Sequence, residues 1–341
     1  MLLWNSTNFI SKMEQIKSEI VKWNGSGEHF LSIISVPYNS SEFFIDIIIT
    51  YVRQNKNVIY ITDEKPNRVS IIKNVKKYTD FRNYAYIKKE GNDMNCLLEV
   101  CSFHSALKLE KKFQLVIYDD INSFSIYNKY EVVNLIDRLT YKQGKAIVYS
   151  IENIFENSRE LFFPIGREGP IVEPRTILTR FDMNKNIPFV VYDYLKWSLS
   201  EGKKAIIYVP DEFKAANVYS YTHNYCKNLC KNILCYTKKE ESCKKSVSKF
   251  FEMKDSILIT DSFKQIISNG KNSNIMVYFA DNMDFNYKEF VYLCGSMKRG
   301  GRNVKGEVIL VANLETKDME KAGDITRNFN REAWDMGLLK I

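Results

Sequence analysis

The residues with chemical potential fall in three stretches of the 341-residue chain. Gln114-Leu-Val-Ile-Tyr-Asp119-Asp120 is an apolar run ending in adjacent carboxylates. Acids at the end of a buried strand can hold Mg²⁺ and orient water in phosphoryl transfer, although many α/β strands end in Asp without catalysing anything. Pro37-Tyr-Asn39-Ser40-Ser41-Glu42 lies between an expected strand and an expected helix, where amides and a helix dipole favour an anion. Ser41 offers a hydroxyl to a metal. The stretch has no glycine to let the backbone wrap a phosphate and no lysine to neutralise one. Pro37 also removes a donor, and dipole attraction alone is worth about 1 kcal/mol. In the third stretch, Tyr292–Arg302, an apolar helix runs into a glycine-broken cluster of Lys298, Arg299 and Arg302, followed by Gly306-Glu-Val-Ile-Leu-Val311. Guanidinium groups placed this way can meet a phosphate. Read alone, the cluster is equally a solvated basic turn.

Other chemistries lack a pattern. His29, His104 and His223 are isolated, and no Ser/His/Asp or Cys/His arrangement stands out. The odd count of 7 cysteines argues against a disulfide framework. Cys226, Cys230, Cys235 and Cys243 match no zinc spacing, so buried thiols are expected and zinc is not.

The net charge of +8 favours anionic partners. Lysines and arginines concentrate between Lys65 and Lys89 and again between Cys226 and Lys254, one basic segment in each half. Lys65, Arg68, Lys238 and Lys239 are the expected backbone contacts of a single strand, with Tyr84 and Tyr86 as stacking candidates. Two solvated helix faces would read the same way.

The elements that must position these residues alternate. A helix over 6–23 ends at Asn24-Gly-Ser-Gly27. Strands are expected at Leu31–Val36, Val58–Thr62, Ala85–Ile87, Gln114–Tyr118 and Ala146–Ser150. Helices are expected at Glu42–Gln54, Asn67–Lys77, Asn95–Leu109 and Lys129–Tyr141. Pro164, Gly166, Gly169, Pro170 and Pro174 break the rhythm. It restarts with strands at Thr176–Arg180, Ala205–Val209, Ile233–Tyr236, Ile257–Thr260, Met276–Ala280 and Glu307–Val311, separated by helices. Such alternation implies mostly parallel sheets flanked by helices. The expected organisation is an N-terminal domain over 1–155, a linker over 156–174 and a second domain over 175–341. Two tandem RecA-like domains fit this outline, as would two Rossmann-type domains. No apolar run approaches the roughly 18 residues of a spanning helix, and no signal peptide is evident, so a cytoplasmic protein without membrane insertion is expected.

With these positions in order, the chain resembles a superfamily-two helicase core, and more narrowly the late-competence DNA-uptake ATPase of the comF operon, a relative of the primosomal helicase. Ala205-Ile-Ile-Tyr-Val-Pro210 matches motif IV, Ile257-Leu-Ile-Thr-Asp261 motif V, and Cys294-Gly-Ser-Met-Lys-Arg299 through Gly306-Glu-Val-Ile309 motif VI and its strand. In the first half Pro37–Glu42 falls on the phosphate loop, Asp119 and Asp120 on the Asp-Glu pair, and Ser150-Ile-Glu152 on the interdomain Ser-Ala-Thr. The resemblance implies ATP and Mg²⁺ as cofactors and movement along single-stranded DNA during uptake. Asp119, Asp120 and Arg299 would be catalytic. Asn39, Ser40, Ser41, Glu42 and Arg302 would hold nucleotide, with Ser41 and Asp119 on Mg²⁺. Thr260 and Lys298 would join the nucleic-acid contacts. Ser40 replaces the loop lysine and Ser296 the first motif VI arginine, which implies weak or lost hydrolysis. Three functions stay open: a single-strand binder with ATP turnover weak or lost, an active ATPase with an atypical loop, and a pseudo-enzyme that binds a competence or DNA-processing protein. In each case association is with the cytoplasm or the inner face of the membrane.

Overall fold

The computed structural model describes residues 3–4, 6–87, 96–239, 244–263, 266, 272–297 and 306–340. The chain divides into two compact units, Met1–Pro170 with Phe329–Ile341, and Ile171–Asn328. The last thirteen residues, expected in the second domain, thus group with the first unit.

Unit 1 begins with β1 (Leu3–Trp4) and α1 (Ser6–Asn24), then β2 (Phe30–Ser35). A 3-10 turn (Glu42–Phe44) leads into α2 (Ile45–Arg53), followed by β3 (Val58–Ile61), α3 (Ser70–Tyr78), β4 (Tyr84–Ile87) and β5 (Leu98–Cys101). Next come α4 (Phe103–Ala106), β6 (Phe113–Asp119), α5 (Lys129–Leu139), β7 (Thr140–Ser150) and β8 (Arg159–Phe163). The strands form a seven-stranded sheet in the order β4-β5-β3-β6-β7-β2-β8. Every neighbour pair in it is parallel. A parallel sheet covered on both faces needs strands that are apolar throughout, and Leu115, Val116, Ile117 and Tyr118 are all buried.

Two expectations are corrected here. Asn95–Leu109 was expected as a helix, but Leu98–Cys101 is a strand between β3 and β4, and only Phe103–Ala106 is helical. Leu98, Val100 and Cys101 are buried, and the interior charge Glu99 is held by Lys111. Sheet pairing therefore overrides the local helical spacing. The segment expected as linker contributes β8, because Phe163 packs on Phe9 (5.4 Å) and Phe43 (5.9 Å). Arg159 meanwhile pairs with Glu19 and Glu28.

Unit 2 contains β9 (Arg175–Leu178), α6 (Phe189–Ser200), β10 (Lys204–Tyr208), α7 (Glu212–Cys226), β11 (Asn232–Tyr236) and α8 (Lys244–Glu252). It continues with β12 (Ser256–Thr260), β13 (Ser273–Tyr278), α9 (Tyr287–Ser296), β14 (Val308–Ala312) and α10 (Lys317–Asp335). Its six-stranded sheet has the order β11-β12-β10-β13-β14-β9, again parallel. Gly306 precedes β14 where a Cβ would stand 2.0 Å from the Ser273 carbonyl oxygen, so only glycine fits. A last strand, β15 (Leu339–Lys340), pairs antiparallel with β1 in unit 1. Asn8 reinforces this by donating to the Leu338 carbonyl at 3.1 Å. Among the described residues no helix is long and apolar enough to cross a membrane.

Lys145 staples α1 to the sheet. Its Nζ donates to the carbonyls of Trp23 (2.9 Å), Ser26 (2.8 Å) and Glu28 (3.0 Å) and lies over the Trp23 ring. A cation at a helix carboxyl end satisfies orphan carbonyls. Lys145→Ala is expected to cost about 2–3 kcal/mol, read as an earlier urea midpoint followed by tryptophan fluorescence.

Candidate functional site

The loop after β2 is the stretch expected from the resemblance to be a phosphate loop, and Tyr38 makes its tight turn in the left-handed region (φ 59°), an uncommon conformation for a bulky residue. The Tyr38 amide donates to the Ile121 carbonyl at 3.0 Å, tying this loop to the one after β6. Asn39 is buried, and its Nδ2 donates to Ser35 Oγ (2.9 Å) and the Ile165 carbonyl (2.9 Å). Its Oδ1 accepts the Ser40 amide (2.9 Å), and Ser40 Oγ accepts the Glu42 amide (3.2 Å). Glu42 pairs with the exposed Arg167 at 3.3 Å. Ser41 Oγ is buried and has no hydrogen-bond partner.

Asp119 ends β6 and is completely buried. Oδ1 accepts the amides of Ile121 (2.9 Å) and Asn122 (3.1 Å), while Oδ2 accepts Asn122 Nδ2 (2.9 Å) and the Tyr60 hydroxyl. A carboxylate has about four lone-pair directions, and here each has a donor. Burial pushes the Asp119 carboxyl up from its ordinary range, against these hydrogen bonds. Asp120 is also buried, and its amide donates to the Tyr149 carbonyl at 2.9 Å. Tyr149 in turn donates to the Ser40 carbonyl at 2.9 Å. Burial first, then the Asp120 charge, pushes the phenols of Tyr38 and Tyr118 up.

These residues do not fit a nucleoside triphosphate with Mg²⁺. The loop over 36–42 holds no lysine or arginine, two of its amides are spent on its own side chains, and Asp119 has no lone pair to spare. Ser41 retains an uncommitted hydroxyl. Among the described residues no group of three or more His, Cys, Asp or Glu could hold a metal.

The other half of the site is the carboxyl edge of the unit 1 sheet. The order β5-β3-β6 sets three loops side by side. Ser123 Oγ accepts the Asp63 amide (2.9 Å) and meets Thr62 Oγ1 (3.2 Å), and Asp63 Oδ1 accepts the Phe103 amide (3.2 Å). Lys65 and Arg68 are exposed on a turn in which the Arg68 amide donates to the Lys65 carbonyl at 2.7 Å. His104 is exposed on the adjacent loop, and Lys73, Lys76 and Lys77 on α3. Tyr84 is half-buried beneath Lys76 (5.6 Å) and Tyr86 is half-buried as well.

In unit 2, Lys238 and Lys239 are exposed at the end of β11 but sit among acids. The Lys238 amide donates to Asp261 Oδ1 (2.8 Å), and Lys239 pairs with Glu212. Thr260 is fully buried, its Oγ1 accepting the Ser262 amide at 3.0 Å, so it shapes a turn. Lys298, Arg299 and Arg302 lie outside the described residues, as do Lys88, Lys89 and Cys243. Cys226 and Cys230 are buried, and burial pushes the Cys226 thiol up to about 11. Tyr60, Tyr149, Asn122, Asp63 and Ser123 went unnoticed in the sequence. The available signal was a tyrosine inside an apolar strand, since a buried phenol needs a partner.

With this geometry described, solved structures supply the comparison. The DEAD-box helicase Mss116 bound to ssRNA and UDP-BeF matches over 91% of this chain and 72% of its own, at 14% identity and a TM-score of 0.55. Dbp5 of S. cerevisiae, bound to RNA and ADP BeF3, matches over 91% and 88%, at 12% identity and 0.53. RecG bound to a three-way DNA junction matches over 95% of this chain at 14% identity and 0.55, and the chain spans 46% of RecG. No family model and no curated protein sequence matches. The shared property is the fold: two tandem RecA-like domains, each a mostly parallel sheet flanked by helices.

Glu64 links the two halves of the site. It accepts the Ser70 amide (2.9 Å) and the Ser70 hydroxyl (2.6 Å) at the start of α3. Burial, then the Asp119 charge, raises its carboxyl from 4.5 to about 7, with Lys73 opposing. The folded state therefore favours the protonated form. That contribution is complete below pH 4.5 and is lost as pH rises through about 7. The urea midpoint of unit 1 is expected to fall between pH 5 and pH 8, and Glu64→Gln should flatten that fall.

Proposed function

We propose that this protein is a helicase-fold single-strand binder of the competence DNA-uptake type, in which ATP turnover is lost. The observation that carries the reading is the carboxyl edge of unit 1. Three stitched loops there present Lys65, Arg68 and His104, beside the exposed lysines of α3, while Glu64 is held on Ser70 and the exposed Asp63 accepts the Phe103 amide. A cationic edge with a satisfied interior attracts a phosphate backbone without a net cost for burying its own acids. The helicases of matching fold are described in complex with RNA or DNA, which supports a nucleic-acid partner. The motif V and motif VI resemblance in the second half supports single-stranded DNA and a DNA-processing context. Within that reading Lys298 adds a phosphate contact, Arg299 and Arg302 have no γ-phosphate to meet, and Asp119 and Asp120 are structural.

A second reading, a protein-interaction module, draws support from α6. Its outer face exposes Phe189, Val190 and Trp197, with Leu178 of β9 also exposed. Contiguous exposed apolar side chains mark interaction surfaces.

Filter binding of single-stranded DNA across a salt series separates the two. The single-strand reading expects affinity that falls steeply with salt. Lys65→Glu with Arg68→Glu should weaken low-salt binding about tenfold or more and reduce the salt slope by about 1–2. No binding at low salt, or a flat salt response, would sink this reading in favour of the second.

A further inference from the structure

We propose that the nucleotide pocket of unit 1 is occupied by the protein's own side chains, which lock the nucleic-acid edge in one nucleotide-independent state. The inference rests on the proposed function for the location of the pocket and for the nucleic-acid role of the edge.

A phosphate loop works by leaving backbone amides pointed at an empty cradle that phosphate oxygens fill. In this chain two of the loop's amides are taken from within. Asn39 Oδ1 takes the Ser40 amide and Ser40 Oγ takes the Glu42 amide, at 2.9 and 3.2 Å. These two side-chain oxygens stand in for the oxygens of a phosphate. Asn39 is itself fixed, because Nδ2 is shared between Ser35 Oγ and the Ile165 carbonyl. Tyr149 holds the loop from below through the Ser40 carbonyl at 2.9 Å.

On the metal side Asp119 is filled in the same way, while Ser41 Oγ stays without a hydrogen-bond partner. Where a divalent ion and its waters would meet Asp119, the carboxylate meets Tyr60, Asn122 and two backbone amides. The Tyr38 amide then joins the two sides by donating to the Ile121 carbonyl at 3.0 Å. A phosphate entering this space would have to break bonds that are already made out of water, with no lysine to compensate.

The lock reaches the nucleic-acid edge through short covalent paths. Asn122, which binds Asp119, precedes Ser123, which binds the Asp63 amide next to Glu64 and Lys65. In a nucleotide-driven protein this path would carry the state of the pocket to the edge. Here the pocket has one state, so the edge is held permanently.

The test uses the full chain. Equilibrium dialysis with labelled ATP and Mg²⁺, thermal melting with the same ligand, and amide hydrogen exchange without nucleotide give three readouts. The lock predicts no saturable uptake into the millimolar range and a melting temperature unmoved by ATP. It also predicts slow exchange at the amides of Ser40, Glu42, Ile121 and Asn122. Asn39→Ala should speed exchange at the Ser40 amide at least tenfold. If that variant does not fold, Ser40→Ala removes only the acceptor of the Glu42 amide, and acceleration there is the same readout. Saturable ATP uptake, a melting temperature that climbs with ATP, or exchange at Ser40 and Glu42 as fast as in exposed turns would overturn the lock. Loss of single-strand binding with uptake still absent would overturn the proposed function and support the lock.

Discussion

A carboxylate removed from water persists only if its lone pairs are filled, and Asp119 meets that demand with four donors. Much of unit 1 follows from this constraint. Tyr60 must sit on β3 with its hydroxyl facing β6, and the chain after Asp119 must double back so that the Ile121 and Asn122 amides converge on Oδ1. The Ile121 carbonyl is thereby presented to Tyr38, whose left-handed backbone closes the loop after β2. An acid that could bind metal in an open site becomes here the knot tying three strands and two loops together. Truncating it would leave several buried donors unpaired at once, the costliest kind of core change.

The two basic segments differ in their neighbours. At the sheet edge of unit 1 Glu64 is held on Ser70 and Asp119 on its own loop, the exposed Asp63 accepts the Phe103 amide, and Glu42 pairs with Arg167. Lys65 and Arg68 face solvent. In unit 2 the acids stay with the lysines, as Glu212 with Lys239, Asp211 with Lys214 and Asp261 with the Lys238 amide. Two basic segments of similar composition thus have different electrostatic value. Exposed pairs of opposite sign attract a phosphate backbone far less than unopposed cations do.

The alternation of apolar runs and amphipathic stretches was enough to read two parallel α/β units. Parallel strands buried on both faces carry that signal in their own residues, as Val116 and Ile117 or Leu258 and Ile259 do. What failed was governed by tertiary pairing. Leu98–Cys101 looked helical because nothing local reveals a slot between β3 and β4, and β8 hid in a proline- and glycine-rich stretch until Phe163 met Phe9. The missing lysine and glycines of the phosphate loop were plain in the sequence. Their replacement was not, because Asn39, Ser40, Tyr60 and Tyr149 are ordinary residues far apart in the chain. Thr260 looked like a nucleic-acid contact on motif position alone, and burial makes it a turn residue.

We propose that this tandem RecA-like fold carries a cationic edge while the loops after β2 and β6 close on themselves where a nucleotide would bind. The most direct measurement is a single-stranded DNA binding isotherm taken with and without saturating ATP and Mg²⁺ at one low salt concentration. The account predicts binding, with the two curves superimposed. A displacement of the curve by nucleotide in either direction would contradict it, because it would require a pocket that ATP can still enter.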